Sequence, residues 1–133
     1  MKKQFSRATI RPTDAELDIL NVLWRLGAST VRQAHEELAQ VKPWQYATTL
    51  KLMQIMAGKG LLERDDRERS HVYRPAVARE DTQRQLVGRL IDRAFEGSLG
   101  SLLLGALDAK PASKKELDHL RQLIDDRAKG RKR

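Results

Sequence analysis

The chain has 133 residues and a formal net charge of +8, with 33% charged and 40% hydrophobic residues. This length allows one domain or two small ones and excludes a large catalytic architecture. The sequence contains no cysteine, which excludes disulfides, thiolate metal sites and cysteine nucleophiles, and its positive charge favours an anionic polymer such as nucleic acid as a partner.

The positive charge is concentrated at the two ends of the chain. Residues 1–11 contain four basic and no acidic residues, and 127–133 contain five basic and none, so the body between them carries −1. We therefore predict a flexible basic arm over 1–11 and a basic tail over 127–133. No apolar run has the length of a transmembrane helix or the position of a signal peptide's apolar core, so we expect a cytoplasmic protein without direct membrane binding.

The first two predicted helices each begin at a capping box. Thr13 precedes Glu16 by three residues, and Thr30 precedes Gln33 by three, the spacing at which two side chains cap each other's backbone N–H groups. The first helix has a wide apolar face, and Gly27 is placed to end it as a left-handed C-cap. The second helix is short, and the connection between the two is tight.

A third predicted helix covers most of residues 44–60 and has two different faces. At the 3.6-residue period the inner face comprises Thr49, Leu52, Met53 and Met56. The outer face carries small, hydroxyl, amide and single-cation groups: Ala47, Thr48, Lys51, Gln54 and Ile55. Such groups suit base edges and thymine methyls in a major groove. The pattern alone is equally compatible with a buried helix.

Two short β-type runs, 61–64 and 71–74, flank the charged loop 65–70, which predicts a hairpin. Three helices followed at once by a hairpin are typical of the winged helix-turn-helix, in which the third helix enters the major groove. We therefore predict a mainly α fold with a small β-hairpin wing, its DNA-binding domain covering 12–75.

The pattern changes after Pro75 to long amphipathic helices. We predict helices over about 79–95 and from Ser113, and a buried helix over the nearly uncharged segment 99–107. The segment 76–126 is too small to enclose its own apolar stripes, so we predict a helical dimerisation domain, with packing against the first domain as the open alternative. The predicted dimer interface comprises Leu86, Leu90, Ile91, Phe95, Leu102, Leu103, Leu120, Leu123 and Ile124.

Four motifs in this order, at 46–51, 59–62, 71–75 and 94–98, resemble the penicillinase-repressor family of bacterial regulators, the BlaI/MecI type. The similarity extends from about Pro12 to Asp126. It implies a homodimer that places a winged-helix domain on each half of a palindromic operator and is joined through C-terminal helices, usually acting as a repressor.

The resemblance also bears on how such a repressor is released. In some members a membrane-bound sensor protease pathway triggers cleavage at an asparagine–phenylalanine pair. Gly105 and Ala106 occupy the matching place here, and neither family residue is retained, which puts this route of induction in doubt for this chain. Copper-responsive relatives carry a cysteine cluster that this sequence lacks, so sensing of a metal by thiolates is disfavoured.

Within this framework the outer face of the third helix supplies the predicted base contacts. Gln54 is expected to pair with adenine, Lys51 to donate to guanine or a phosphate, and Ala47 and Ile55 to touch thymine methyls, with Thr48 as the fifth base contact. The predicted contacts to the DNA backbone are Trp44, Tyr46, Arg67, Arg69 and Arg74. Packing of Trp44 into the core, and simple solvation of the hairpin tip, are the alternatives.

The sequence shows no catalytic constellation and no metal or cofactor site. His35, His71 and His119 are spread without ligand-like spacing, and Asp65-Asp66 lies where aspartate favours a turn. We therefore predict a non-enzymatic, sequence-specific repressor that binds double-stranded DNA as a homodimer. The alternative is a protein-interaction module that uses its winged helix to bind another protein.

Overall fold

A computed structural model describes residues 11–130, which contain six helices and three short strands. In chain order these are α1 (Asp14–Leu26), β1 (Ser29–Thr30), α2 (Val31–Leu38), α3 (Tyr46–Lys59), β2 (Leu62–Asp65), β3 (Val72–Pro75), α4 (Arg79–Ala94), α5 (Leu99–Ala109) and α6 (Lys114–Ala128). The predicted mainly α fold with a small wing is confirmed. The predicted arm over 1–11 lies outside the described residues except for Arg11. Residues 127–130 of the predicted tail are described, and α6 extends into the tail as far as Ala128.

The chain divides into two compact units, one ending at Gly88 and the other beginning at Arg89, so that α4 belongs partly to each. In the first unit both predicted capping boxes are present. The Thr13 hydroxyl accepts from the Glu16 N–H at 3.1 Å while the Glu16 carboxylate accepts from the Thr13 N–H at 3.0 Å. Thr30 and Gln33 make the same exchange at 3.1 and 2.9 Å.

Gly27 differs from its predicted conformation. Its φ of 89° is positive, as expected of a glycine that ends a helix, but its ψ of −167° takes the backbone out of the left-handed helical region. The chain therefore leaves α1 extended and enters β1 directly. Gly60, which follows α3, does adopt the left-handed conformation, with φ 90° and ψ 9°.

The sheet has three antiparallel strands in the order β1-β3-β2. Strand β3 pairs with β2, with Arg64 opposite Tyr73, and its other edge pairs with β1, with Ser29 opposite Tyr73. The predicted hairpin is therefore present, each strand displaced by one residue, but the prediction of two strands missed β1. Two residues are too few for an alternating pattern to be visible.

The core of the first unit lies between α1, α2, α3 and the sheet. Its most completely buried side chains are Ile19, Leu20, Leu23, Ala34, Leu38, Met53, Met56, Leu61, Leu62 and Tyr73. Leu26 is apolar but exposed, because it lies in the last turn of α1, past the core. Beyond Pro75, Val77 is also buried, and its carbonyl accepts a hydrogen bond of 3.0 Å from the Trp24 indole N–H.

In the second unit α5 and α6 contain no buried side chain. The prediction that 99–107 forms a buried helix is therefore wrong for the single chain, in which Leu99 and Leu104 are each 67% exposed. A helix this apolar is normally covered, and one chain supplies too little mass to cover it. Inside the unit, Gly105 allows a close approach: a Cβ there would lie 3.2 Å from the Phe95 ring.

Candidate nucleic-acid interface

The outer face of α3 is open to solvent. Thr49, Met53 and Met56 are buried, and Leu52 is partly buried against the core, as the helical period predicted. The opposite side exposes all five residues that were predicted to contact bases: Ala47, Thr48, Lys51, Gln54 and Ile55. Lys51 is the single charged group among these five side chains. The side chains of the outer face are therefore accessible to a ligand, and their chemical groups suit the edges of base pairs.

Helix α2 fixes the rotation of α3 about its own axis. The Nδ1 atom of His35 lies 2.8 Å from the Oγ1 atom of Thr49, whose side chain is fully buried. The His35 ring also packs nearly perpendicular to the Tyr46 ring, with ring centroids 5.6 Å apart. Sequence reasoning considered His35 only as a metal ligand and missed this role, because a hydrogen bond between helices leaves no periodic signal.

The wing, defined as β2, β3 and the loop between them, is rich in ion pairs. The Nε and Nη2 atoms of Arg67 lie 3.0 and 2.6 Å from Asp65 carboxylate oxygens, and the Arg67 N–H also donates to Asp65. These hydrogen bonds hold the pKa of Asp65 at about 2, below its ordinary 3.8, and raise the pKa of Arg67. Arg67, a predicted backbone contact, is 85% exposed at its side chain but already engaged by Asp65.

The neighbouring pair in the wing joins Arg64 to Asp66, with the Arg64 Nε atom 2.7 Å from Asp66 Oδ1. The pKa of Arg64 is raised, first by a hydrogen bond with the Tyr73 side chain and then by Asp66. The sequence indicated a turn at Asp65-Asp66 and missed that both carboxylates also hold arginines. Opposite charges two residues apart in a charged loop were the available signal.

The remaining predicted backbone contacts lie in different environments. Trp44 is half-buried and packs against the core, with the Lys42 ammonium 6.0 Å from its ring. Tyr46 is 37% exposed at the start of α3, and the Arg32 guanidinium lies 4.9 Å from its ring centroid. Arg69 and Arg74 are exposed on the wing.

Among residues 11–130, the exposed cations of this region that form no ion pair with a carboxylate include Arg32 on α2, Lys51 on α3 and Arg69 on the wing. Elsewhere in the first unit, Arg25 is paired with Glu37 at 2.9 Å. Sequence reasoning did not single out Arg32, because it lies inside the capping box of α2, where the prediction concerned only helix initiation.

The residues predicted to form a dimer interface expose apolar surface in the single chain. Leu90, Leu103, Leu123 and Ile124 are exposed, whereas Leu86, Ile91, Phe95, Leu102 and Leu120 are half-buried.

Between residues 11 and 130 there is no group of three or more histidine, cysteine, aspartate or glutamate side chains placed to hold a metal ion. Within the same range no helix has both the length and the apolarity needed to cross a membrane.

The chain is similar in sequence to known bacterial repressors. The chain is 26% identical over 114 residues to the penicillinase repressor of Bacillus licheniformis, covering 86% of this chain and 89% of that protein. It is 22% identical over 117 residues to the methicillin resistance regulatory protein MecI of Staphylococcus aureus strain N315, covering 88% and 95%. The solution structure of monomeric B. licheniformis BlaI in complex with the blaP half-operator matches 54% of this chain and 88% of that one, with 25% identity and a TM-score of 0.49. Residues 12–126 match the penicillinase repressor family as a whole, and the chain belongs to that family.

Proposed function

We propose that this protein is a sequence-specific DNA-binding transcriptional repressor that binds a dyad-symmetric operator as a homodimer. The observation that carries the proposal is the exposed outer face of α3, nearly free of charge and held in place by α2. A solvated surface helix normally carries many charges, whereas this composition suits a major groove. Membership of a family of repressors supports the same function.

In this proposal the outer face of α3 selects the sequence, with Gln54 and Lys51 as the polar readers of base edges. Ala47, Thr48 and Ile55 complete the contact with bases. Backbone contacts from the start of α3 and from the wing set the position of the domain on the duplex without selecting sequence. The proposed backbone contacts are Trp44, Tyr46, Arg67, Arg69 and Arg74.

The proposal assigns DNA binding to 12–75 and dimerisation to 76–126. The support for dimerisation is the apolar surface that α5 and α6 leave uncovered in one chain, including Leu103, Leu123 and Ile124. Exposed apolar surface of this extent is typical of a face that binds another protein. A second copy is the economical partner, since two identical subunits bind the two halves of a dyad-symmetric operator.

The proposal is tested by selecting genomic DNA fragments with the purified protein and sequencing them. We expect a shared dyad-symmetric element, which a gel shift then retains in the presence of competitor DNA. The Lys51→Ala/Gln54→Ala double variant should lose preference for this element while it keeps weak binding to any sequence. Recovery of no dyad element, together with capture of a protein partner by the first unit, would favour a protein-interaction module.

A further inference from the structure

A groove of about 430 Å³ lies beside the outer face of α3. Its walls are the start of α2, the stretch of α3 from Tyr46 to Gln54, the end of the wing loop and Tyr73 of β3, and they include Arg32, Ser70 and His71. Gln54 also belongs to the outer face of α3. A ligand in this groove would therefore lie directly beside the proposed base contacts.

The Arg32 side chain lines this groove and packs against the Tyr46 ring. Its guanidinium lies 4.9 Å from the centroid of the Tyr46 ring, which is itself supported edge-on by His35. Stacking restricts a guanidinium without using its N–H donors, so less freedom is lost when an anion binds. No carboxylate among residues 11–130 pairs with Arg32, whereas Arg25 is committed to Glu37.

The other polar groups of the groove complement this cation. Ser70 contributes a hydroxyl and His71 an imidazole, and no acidic side chain lines the walls. Asp66 lies next to the wing side of the groove, with its Oδ1 atom 3.8 Å from His71 Nδ1. The hydroxyl of Thr30 is already engaged with Gln33, because it accepts from the Gln33 N–H and donates its own proton to Gln33 Oε1 at 3.3 Å. A cation and a hydroxyl beside an apolar Leu50 match a phosphate oxygen and the adjoining sugar.

We propose that this groove binds one backbone phosphate of the operator, with Arg32 as its cation and Ser70 and His71 completing the site from the wing. The inference rests on the proposed function and adds to it a contact that joins α2 to the wing across α3. One phosphate clamped from both sides would fix how far α3 enters the major groove. Arg32 is thus a positioning residue for base recognition.

The first test compares Arg32→Ala with Arg25→Ala, an equal loss of charge on an arginine already paired with a carboxylate. On the selected operator the homodimer places one Arg32 on each half-site, so Arg32→Ala should weaken binding on the order of tenfold for each half-site, the usual size for a lost charged hydrogen bond. It should also lower the slope of log affinity against log salt concentration by about 0.9 for each half-site, and so by about 1.8 for the dimer, because about 0.9 is the value for one phosphate. Arg25→Ala should leave both nearly unchanged. Equal affinity and slope in Arg32→Ala and wild type, with wild type binding the operator, overturns this inference and leaves the proposed function intact.

The second test replaces single phosphates of the operator by uncharged methylphosphonate. One linkage on each half-site should weaken wild-type binding yet leave the Arg32→Ala variant unaffected, since the two changes remove the same contact. If every linkage costs both proteins the same, Arg32 touches no phosphate and the inference is wrong. Failure of the wild type to bind any DNA removes the proposed function and this inference together.

A third test separates a DNA phosphate from a free phosphorylated compound. Inorganic phosphate and pyrophosphate are titrated while the Arg32 Nε–H signal is followed by NMR. We expect no saturable shift at millimolar concentrations, because one phosphate without the rest of the duplex gains little. Saturable, Arg32-dependent binding that displaces the operator would make the groove a site for a free phosphorylated ligand and would overturn the assignment to the DNA backbone.

Discussion

Lys59, the last residue of α3, reaches back to Glu16 at the start of α1, with its Nζ atom 2.7 and 2.8 Å from the two carboxylate oxygens. Glu16 is only 3% exposed and also caps the Thr13 N–H. One buried carboxylate therefore closes the first turn of α1 and fastens the C-terminal end of α3. Near its other end, α3 is held by the hydrogen bond between Thr49 and His35 of α2. The proposed recognition helix is therefore fixed to the rest of the first unit near both of its ends.

Removal of the Lys59 ammonium should destabilise the first unit. In Lys59→Met the Glu16 carboxylate stays buried and loses its cation, which costs about 1–2 kcal/mol after allowance for the partial exposure of Lys59. Thermal or urea unfolding measures the change. Lys114→Met is the matched control, because Lys114 meets Asp118 at 3.5 Å on an exposed surface and should change stability by less than about 0.5 kcal/mol. Equal effects of the two variants would contradict the anchoring role.

Two adjacent threonines on α3 separate folding from DNA recognition. Thr49→Val keeps the side-chain shape but removes the hydroxyl that meets His35, so unfolding should become easier by about 1–2 kcal/mol. Thr48→Val changes an exposed residue of the outer face and should leave stability within about 0.5 kcal/mol while it weakens operator binding. Unfolding curves and gel shifts on both variants give the four measurements. If Thr48→Val instead destabilised the fold and Thr49→Val weakened only operator binding, α3 would be rotated so that Thr48, and not Thr49, faces α2.

The ion pair between Asp65 and Arg67 should limit how strongly the wing holds DNA. Asp65→Asn keeps a side-chain oxygen that accepts from the backbone N–H of Arg67 but removes the negative charge. This change frees the Arg67 guanidinium from its ion pair and removes a carboxylate that would repel the DNA phosphates. We expect tighter binding to operator and to unrelated DNA alike, with a steeper salt dependence. Asp118→Asn is the control, because it removes the same charge from an ion pair with Arg121 on α6, which is not part of the wing. Unchanged or weaker binding by Asp65→Asn would exclude Arg67 as a phosphate contact.

The same pair predicts a pH dependence within the wing. Hydrogen bonds from Arg67 lower the pKa of Asp65 to about 2 in the folded protein. The pair's stabilisation is therefore complete above the ordinary aspartate pKa of 3.8 and is lost as the pH falls toward 2. The side chain of Asp65 is 19% exposed but that of Arg67 is 85% exposed, and solvent around the guanidinium keeps the effect on overall stability small. A carboxyl-carbon NMR titration should place the midpoint of Asp65 near 2, and Arg67→Gln should return it toward 3.8. An ordinary midpoint in the wild type would show that the pair does not persist in solution.

Part of this architecture could be predicted from the sequence because it has a local cause. Capping boxes are encoded within four residues, and the 3.6-residue period fixed which side of α3 is buried. Contacts between different helices and strands produce no local pattern in the sequence. The His35–Thr49 hydrogen bond, the stacking of Arg32 on Tyr46 and the pairing of β1 with β3 join residues whose positions only the fold determines.

For the apolar faces of the second unit, the composition predicts that the surface is covered but does not identify the molecule that covers it. Leu90 on α4 is 48% exposed in one chain, and we expect a second copy to cover it. Leu90→Asp should then convert the dimer into monomers, since a carboxylate cannot be buried unpaired in an apolar interface. Analytical ultracentrifugation gives the mass, and Arg89→Asp supplies a matched control at an adjacent exposed position. A Leu90→Asp protein that sediments as an unchanged dimer would exclude Leu90 from the interface.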